Sequence, residues 1–420
     1  MAQLTDLPNE LLAMVFAKLN PKDLSSMCYQ SRRFKDVAEK ELYRELNLKV
    51  SNNLQLYRLL RTVATRRELV AHVRKITSAI DSPPLRRWAP SSVEDKELIV
   101  RLSCTAFGSK TIDWEQLDEW QTRGFWAAAE LWNTAGLTCL SVLTQNLQEL
   151  EVKETIAWWN CLRNLELSQG RNSFARLTKL TCRDFLVDDI SQLPWLWAPA
   201  LRKTYGYNVS TYSWLGPSTR YPLQKADYGV EKLILTRFNA HGITDLLKHY
   251  RKLRMLHLQW MFTNYTEILS NALNDMMPIL EQMPLLEDIN ITIWDEAERI
   301  MVRKEAQRSD AWGVPRTIPS IGSFVSCTNL RSLRISLAVL FGSDLRGRHL
   351  AAILPPSLVN LVIVQCLMIR TGCKSDILLL VNGIRGLLSS VAAGTHGKLE
   401  MICLVDSPGD WSRLSSRRIP

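Results

Sequence analysis

The sequence predicts an α/β protein in which a small N-terminal group of helices precedes a long, irregular solenoid, bent like a horseshoe. Two observations carry this prediction. The first 48 residues contain three short amphipathic segments that begin with helix-capping residues. From residue 147 onward, a set of apolar residues at positions i, i+3 and i+5 recurs nine times, with polar turn material between most instances.

The composition is that of an ordinary globular protein. Of the 420 residues, 46% are hydrophobic and 22% are charged, so extensive disorder is not expected. The net charge of +10 is spread over a long chain, which suits acidic partners but does not favour nucleic acid. The nine cysteines are scattered without a C-x-x-C motif, which indicates a reduced intracellular protein and no zinc site.

Neither a signal peptide nor a membrane span is expected. The N-terminus has no basic region followed by an apolar one. The most apolar late stretch, residues 377–394, is interrupted by Asn382, Gly383 and Arg385. We therefore predict a cytoplasmic or nuclear protein without a membrane partner.

The first helix is predicted to begin near Pro8, because a proline loses nothing in the first helical turn. Glu10 follows in that turn, where a negative charge suits the helix dipole. The next apolar residues are spaced so that they form one helical stripe. They are Leu11, Leu12, Val15, Phe16 and Leu19.

Two further helices are predicted directly afterwards. Asn20 is a good N-cap, Pro21 suits the first position of a helix, and Asp23 suits its first turn. The second helix carries Leu24, Met27 and Cys28. The third is predicted from about residue 32 to residue 45, with an apolar side formed by Phe34, Val37, Ala38, Leu42 and Tyr43. Three helices this short make a small core, so a partner or a neighbouring domain is expected to cover them.

The residues of this segment also follow a recognisable order. They read Leu4-x-x-Leu7-Pro8-x-Glu10-Leu11-Leu12-x-x-Val15-Phe16-x-x-Leu19, then Asp23-Leu24, then Arg32-Arg33-Phe34. This order closely resembles the F-box motif, although Phe34 stands where that family most often has Trp. In that family the motif binds the Skp-type linker subunit of SCF ubiquitin ligases, and through it cullin, while the rest of the chain selects the substrate.

The resemblance implies a set of linker-binding residues. They are Leu4, Leu7, Pro8, Leu11, Leu12, Val15, Phe16, Leu19, Leu24, Met27 and Phe34. Some of them must instead hold the three helices together, and the sequence does not separate the two groups. The alternative is a helical cap that only closes the domain behind it.

The residues after this motif lead into the repeating part of the chain. Residues 54–65 are predicted as a helix and residues 73–76 as a first strand, an order that resembles fungal F-box proteins. Residues 81–91 are predicted as a loop, and residues 92–145 as a mostly helical insertion. The insertion carries four tryptophans, each six residues after the last. Six residues advance a helix by about 600°, so these side chains would point to different sides of a helix and would not form one stripe. These tryptophans, Trp114, Trp120, Trp126 and Trp132, are therefore predicted to anchor the insertion in the core.

The nine apolar sets follow the pattern of a leucine-rich repeat, in which a strand turns alternate side chains inward. They begin at Leu147, Leu162, Leu177, Val230, Leu253, Leu286, Leu330, Leu358 and Leu399. The intervals range from 15 to 53 residues, which predicts an irregular solenoid with helices and loops on its outer side. The longest interval contains Leu201, where a degenerate repeat is predicted.

The domains predicted from these features are residues 1–48 (F-box), 49–145 (helical segment) and 146–420 (repeat domain).

The sequence contains no motif for catalysis, a cofactor or a metal. No phosphate-binding loop, G-x-S-x-G or H-E-x-x-H occurs, and no cysteine lies in a motif that marks a nucleophile. His241, His249 and His257 are eight residues apart, but nothing points to Asp, Glu or Cys partners. A structural or surface role is favoured for them, and the chain is predicted to be a non-catalytic adaptor.

Strand residues between the inward positions should line the concave face, which is the usual binding surface of a solenoid. Five of them are predicted to contact a protein substrate with acidic or phosphorylated groups. They are Lys179, Arg183, Lys232, His257 and Arg334. In the alternative interpretation, the chain's own residues 406–420 cover the apolar C-terminal end of this face. A small molecule on the concave face is a third alternative.

Together these features predict the substrate-recognition subunit of an SCF-type ubiquitin ligase. Two alternatives belong to other classes. One is a linker-bound scaffold that acts outside ubiquitination. The other is a hydrolase or nucleotide-binding solenoid whose N-terminal helices serve only as a cap.

Overall fold

The chain divides into two compact units. The first comprises Met1–Arg183 with Leu193–Leu201, and the second Asp184–Gln192 with Arg202–Pro420. The computed structural model describes residues 4–49, 53–79, 92–107, 139–141, 143–153, 174–186, 198–210, 228–238, 243–261, 266–294, 320–342, 349–364 and 374–405. The predicted loop at 81–91, the four tryptophans, the set at Leu162 and the tail at 406–420 lie outside these residues. The three predicted domains stay a prediction.

Three helices open the first unit. They are α1 (Asn9–Phe16), α2 (Pro21–Met27) and α3 (Arg32–Leu42), and a 3₁₀ turn over Leu4–Asp6 precedes them. The side-chain oxygen of Asn20 accepts hydrogen bonds from the backbone N–H groups of Lys22 and Asp23, each at 3.0 Å. The predicted N-cap is therefore confirmed. Ser31 caps α3 in the same way by accepting from the N–H of Phe34 at 3.1 Å.

The predicted end of the third helix was wrong. Helix α3 ends at Leu42, and Glu45–Lys49 form strand β1. Leu46 and Leu48 are both buried, and β1 pairs in parallel with the next strand. A continued helix would turn these two leucines to different sides, whereas a strand turns both toward the core. Burial of the pair thus overrides the local helical pattern.

The first unit contains four parallel strands, each paired with the next in sequence. After β1 come β2 (Lys75–Ala79), β3 (Glu149–Lys153) and β4 (Lys179–Leu186). Helix α4 (Asn53–Thr65) and a 3₁₀ turn (Arg67–His72) connect β1 to β2, and α5 (Val93–Phe107) follows β2. Buried apolar residues share one register row across the four strands. They are Leu46, Ile76, Leu150 and Leu180.

The second unit repeats this arrangement with seven parallel strands. They are β5 (Lys203–Ser210), β6 (Lys232–Phe238), β7 (Met255–Met261), β8 (Asp288–Trp294), β9 (Ser332–Ser336), β10 (Asn360–Val364) and β11 (Met401–Val405). Neighbours in sequence are neighbours in the sheet. Because parallel strands need crossover connections, helices lie between several of them in the chain. These helices are α6 (Ile243–Leu247), α7 (Thr266–Leu280), α8 (Leu337–Phe341), α9 (Leu350–Ile353) and α10 (Lys374–Ala392).

Eight of the nine predicted apolar sets fall within the described residues. Each places its second and third members in a strand, and all of these side chains are buried except those of Ile402 and Leu404 on β11. The predicted degenerate repeat is strand β5, where Thr204 and Gly206 occupy the register positions of Leu233 and Leu235. Parallel strands in a common register are compatible with the predicted solenoid.

Among the helices that the structure describes, none is both long and apolar enough to cross a membrane.

Candidate functional site

The three N-terminal helices enclose a small apolar core. Leu12 and Phe16 have no exposed surface, and Leu24 and Phe34 are buried with them. The rings of Phe16 and Phe34 meet edge to face, with centroids 5.6 Å apart and planes at 88°. Phe34 therefore packs into this core, as its aromatic shape predicts.

A second group of apolar side chains on α1 faces away from this core. Leu11, Met14 and Val15 expose 45%, 67% and 40% of their surface, and Leu4 in the preceding turn exposes 39%. Positions i, i+3 and i+4 lie on one side of a helix, so the residues of α1 form a continuous apolar strip. We call Leu4, Leu11, Met14 and Val15 the docking face. Contiguous exposed apolar surface of this kind is typical of a protein–protein contact.

The structure divides the eleven predicted linker-binding residues by their exposure, and their role in binding stays a prediction. Four of the eleven predicted linker-binding residues are exposed, and they are Leu4, Pro8, Leu11 and Val15. Three are partly buried, and they are Leu7, Leu19 and Met27. The remaining four are the core residues Leu12, Phe16, Leu24 and Phe34. Met14, which was not predicted, is exposed beside them, and its spacing of three from Leu11 is a signal that could have placed it in this strip.

Arg33 fixes the turn that carries part of the docking face. Its guanidinium donates to the side chain of Asn9 at 2.9 Å, to the carbonyl of Thr5 at 2.7 Å and to the carbonyl of Leu7. From the sequence, Arg33 is expected only to occupy its place in the motif. These contacts join residues more than twenty positions apart, so no local pattern indicates them.

A second arginine connects α3 to the 3₁₀ turn before β2. The Arg66 guanidinium donates to both carboxylate oxygens of Glu39, at 2.7 and 2.8 Å, and to Glu68 at 2.9 Å. The hydrogen bonds from Arg66 hold the pKa of the Glu39 carboxyl below its usual value. This bidentate pair ties the docking helices to the segment that leads into the sheet.

We expect the Arg66–Glu39 pair to stabilise the first unit at neutral pH and to lose this effect in acid. Because the pKa of Glu39 is lower in the folded chain than in the unfolded chain, the stabilisation is present above the ordinary carboxyl value of 4.5. This stabilisation is lost as the pH falls through the lower pKa that Glu39 has in the folded chain. Arg66→Met should therefore reduce the free energy of unfolding by about 1 kcal/mol at pH 7, and by less as the pH falls below 4.5.

Urea unfolding at neutral and acidic pH measures this difference. Arg67→Met is the matched control, because Arg67 is exposed and its replacement removes the same charge. An equal loss of stability for Arg66→Met at both pH values would contradict the expectation.

The strand faces of the first unit carry charges of alternating sign. In one register row Glu45, Lys75, Glu149 and Lys179 follow each other across the four strands. The ammonium of Lys75 lies 4.0 Å from Glu45, and that of Lys179 lies 3.2 Å from Glu149. Arg183 donates to Glu151 at 2.8 Å. Two of the predicted substrate-binding residues, Lys179 and Arg183, thus lie on this face and are paired with glutamates of β3.

The other three predicted substrate-binding residues lie on the strand faces of the second unit. The Lys232 ammonium lies 5.6 Å from the ring centroid of Tyr205. Nε2 of His257 lies 3.1 Å from the carboxylate of Asp288. Arg334 is partly buried, and burial lowers the pKa of its guanidinium. His257 and Arg334 share one register row, with Asn290 between them.

Within the described residues, no three His, Cys, Asp or Glu side chains come close enough to hold a metal ion. His249 contacts the ring of Tyr228 edge to face, His257 pairs with Asp288, and His241 lies outside the described residues.

Burial raises the pKa of the Cys327 thiol to about 11, so this cysteine is protonated at neutral pH.

The N-terminal segment is similar to a known family. Residues 4–49 match the F-box-like family model. This F-box-like domain begins with the turn at Leu4, includes the docking face and its supporting core, and ends with β1. The resemblance to the F-box is therefore confirmed for about a tenth of the chain. No curated protein matched the chain.

Proposed function

We propose that this protein is the substrate-recognition subunit of an SCF-type ubiquitin ligase. The observation that carries this proposal is the docking face within an F-box-like domain. Its apolar side chains are exposed, while a separate set of apolar residues fills the core beneath them. In this proposal a Skp-type linker covers the docking face and connects the chain to cullin.

The shape of the docking face suits contact between helices. Leu11, Met14 and Val15 present an i, i+3, i+4 strip, which is the pattern by which an amphipathic helix enters an apolar groove. The capped α2 and the Arg33 contacts hold the neighbouring segments in place. Preorganisation of this kind reduces the entropy lost on binding.

The protein substrate, in this proposal, lies on the strand faces of a leucine-rich-repeat solenoid. The parallel strands and their shared register support a repeat architecture, and solenoids of this kind bind partners on the exposed strand face. Lys179, Arg183, Lys232, His257 and Arg334 stay predictions as substrate contacts.

The chain itself would contribute proximity and no chemistry. A receptor that binds the linker at one end and the substrate at the other holds a substrate lysine near the charged ubiquitin-conjugating enzyme. Holding two reactants together raises their effective concentration and so the rate of transfer.

Affinity purification of the tagged chain from cell extract tests this proposal, with blots for the Skp-type linker and for cullin. We expect both proteins to be recovered. Recovery of the linker without cullin would instead favour a scaffold outside ubiquitination. Recovery of neither, by a folded chain, would contradict the proposal as a whole.

A further inference from the structure

We propose that strands β5 and β6 bind an acidic, carboxylate-rich segment of the protein substrate at Lys203 and Lys232. This inference rests on the proposed function, since it specifies the kind of substrate that the receptor would select. Lys203 was not among the residues that the sequence predicted to contact a substrate.

Lys203 and Lys232 are direct register partners on adjacent parallel strands. Neighbouring strands are about 4.8 Å apart, so the two lysines project side by side from the same face. Lys203 is exposed and Lys232 is partly buried. Like charges placed opposite each other on a sheet are destabilising, and a bound anion would relieve this repulsion.

Within the described part of the chain, neither lysine forms an ion pair. The acidic residues near this end of the strands already have other partners, including Asp288, which shares the register row of Lys232 and lies 3.1 Å from Nε2 of His257. Glu231 lies 3.7 Å from Arg202, and Glu287 lies 2.5 Å from Arg254. The register position next to Lys232 on β7 is Met255, which carries no charge.

The strand face of the first unit differs in this respect. There Lys75 lies within 4.0 Å of Glu45, and Lys179 and Arg183 lie closer still to Glu149 and Glu151. These three cations are therefore compensated within the chain. The lysine pair of the second unit has no such compensation among the described residues, which leaves its charge available to a ligand.

Tyr205 completes the site. Its ring lies beside the Lys232 ammonium, at 5.6 Å from centroid to Nζ, and it is partly exposed. A cation held over an aromatic ring keeps a defined position. The ring also offers apolar surface to the backbone and the methylene groups of a bound peptide.

The charge of the pair favours an acidic segment. Lysine ammonium groups act as point charges and lack the arginine fork that matches carboxylate and phosphate oxygens in a bidentate manner, so one singly charged carboxylate neutralises each lysine. Arg334 lies on β9, three strands away from Lys232, or about 14 Å at the usual strand spacing. The two lysines would contact Asp or Glu side chains at alternate positions of an extended segment, which lie on the same side of its backbone.

Fluorescence anisotropy with labelled peptides tests this site on the full chain. We expect an oligoglutamate peptide to bind, an oligoglutamine peptide not to bind, and the affinity to fall as ionic strength rises. Lys203→Glu with Lys232→Glu should weaken oligoglutamate binding at least about tenfold. The matched control is Lys252→Glu with Lys398→Glu, which changes two exposed lysines in turns of the same unit and should stay within about twofold of wild type.

Three results would overturn the proposal. They are an equal effect of the two double variants, an absence of oligoglutamate binding by the wild type, and binding only of a peptide with phosphoserine in place of glutamate. Circular dichroism establishes that each variant is folded. Capture of the Skp-type linker by the wild-type chain and by both double variants is measured in parallel. Failure of the wild-type chain to capture the linker, with oligoglutamate binding intact, would count against the ubiquitin-ligase function and not against this site.

Discussion

Replacing Leu11 and Val15 with glutamate is expected to abolish binding of the Skp-type linker while the chain stays folded. Both side chains lie on the docking face, where they expose 45% and 40% of their surface. Burial of a large aliphatic side chain contributes about 1.5–3 kcal/mol, and a carboxylate within an apolar contact adds a desolvation cost. We therefore expect the affinity to fall by at least about 100-fold, or roughly 3 kcal/mol.

Two exposed aliphatic residues of the second unit provide the matched control. Leu285 and Val325 expose 48% and 43% of their surface, so Leu285→Glu with Val325→Glu makes the same chemical change at the same exposure. Surface plasmon resonance with purified linker compares the two double variants. Retained binding by the docking-face variant, or an equal loss by both, would show that the linker does not bind through this face.

The second large effect is expected from Phe16→Ala, which removes one of the two phenylalanine rings of the F-box-like core. Phe16 has no exposed surface, and its ring packs edge to face on Phe34. Removal of a buried phenylalanine costs about 3–5 kcal/mol. A core of three short helices has a small free energy of unfolding. We therefore expect this domain to unfold locally in the variant, and the variant to lose linker binding as a result.

Hydrogen exchange measures this outcome residue by residue. Backbone amides of α1, α2 and α3 should lose most of their protection in Phe16→Ala. Tyr29→Ala is the control, because Tyr29 is 86% exposed and its loss should change stability by less than about 0.5 kcal/mol. Full protection of the three helices in Phe16→Ala would mean that this core does not hold them together.

The two experiments together separate contact residues from core residues. The docking-face variant should lose linker binding with its amide protection intact, whereas Phe16→Ala should lose both. This distinction is the one that the spacing of apolar residues leaves open. Leu11 and Leu12 are adjacent and chemically identical, yet one exposes 45% of its surface and the other is buried.

Much of the local structure could be predicted because it depends on short-range patterns. The Asn20 cap, the helix that follows it and the Phe34 packing agree with the sequence analysis. The spacing of the apolar sets also predicts where the strands lie. A shift of one residue would turn every inward side chain outward, so sets of equal spacing align in a common register. Even the weak set at Leu201 forms a strand.

Other features depend on residues that are distant in the chain. Strand β1 replaces the end of the predicted third helix because β2 offers it a pairing partner thirty residues later. Arg33 bonds to the turn at Thr5, and Lys179 pairs with Glu149, across similar separations. The spacing of residues within a short segment does not indicate these contacts.

The sequence by itself determined the types of element, the apolar rows of the strands and the F-box-like motif, because periodicity and capping act over a few residues. The tertiary structure alone decided which apolar side chains form the docking face and which charges are compensated within the chain. Exposure and ion pairing depend on which segments fold against each other. For that reason Lys179 and Lys232, both predicted as substrate contacts, differ in the structure, since among the described residues only Lys179 forms an ion pair with a glutamate.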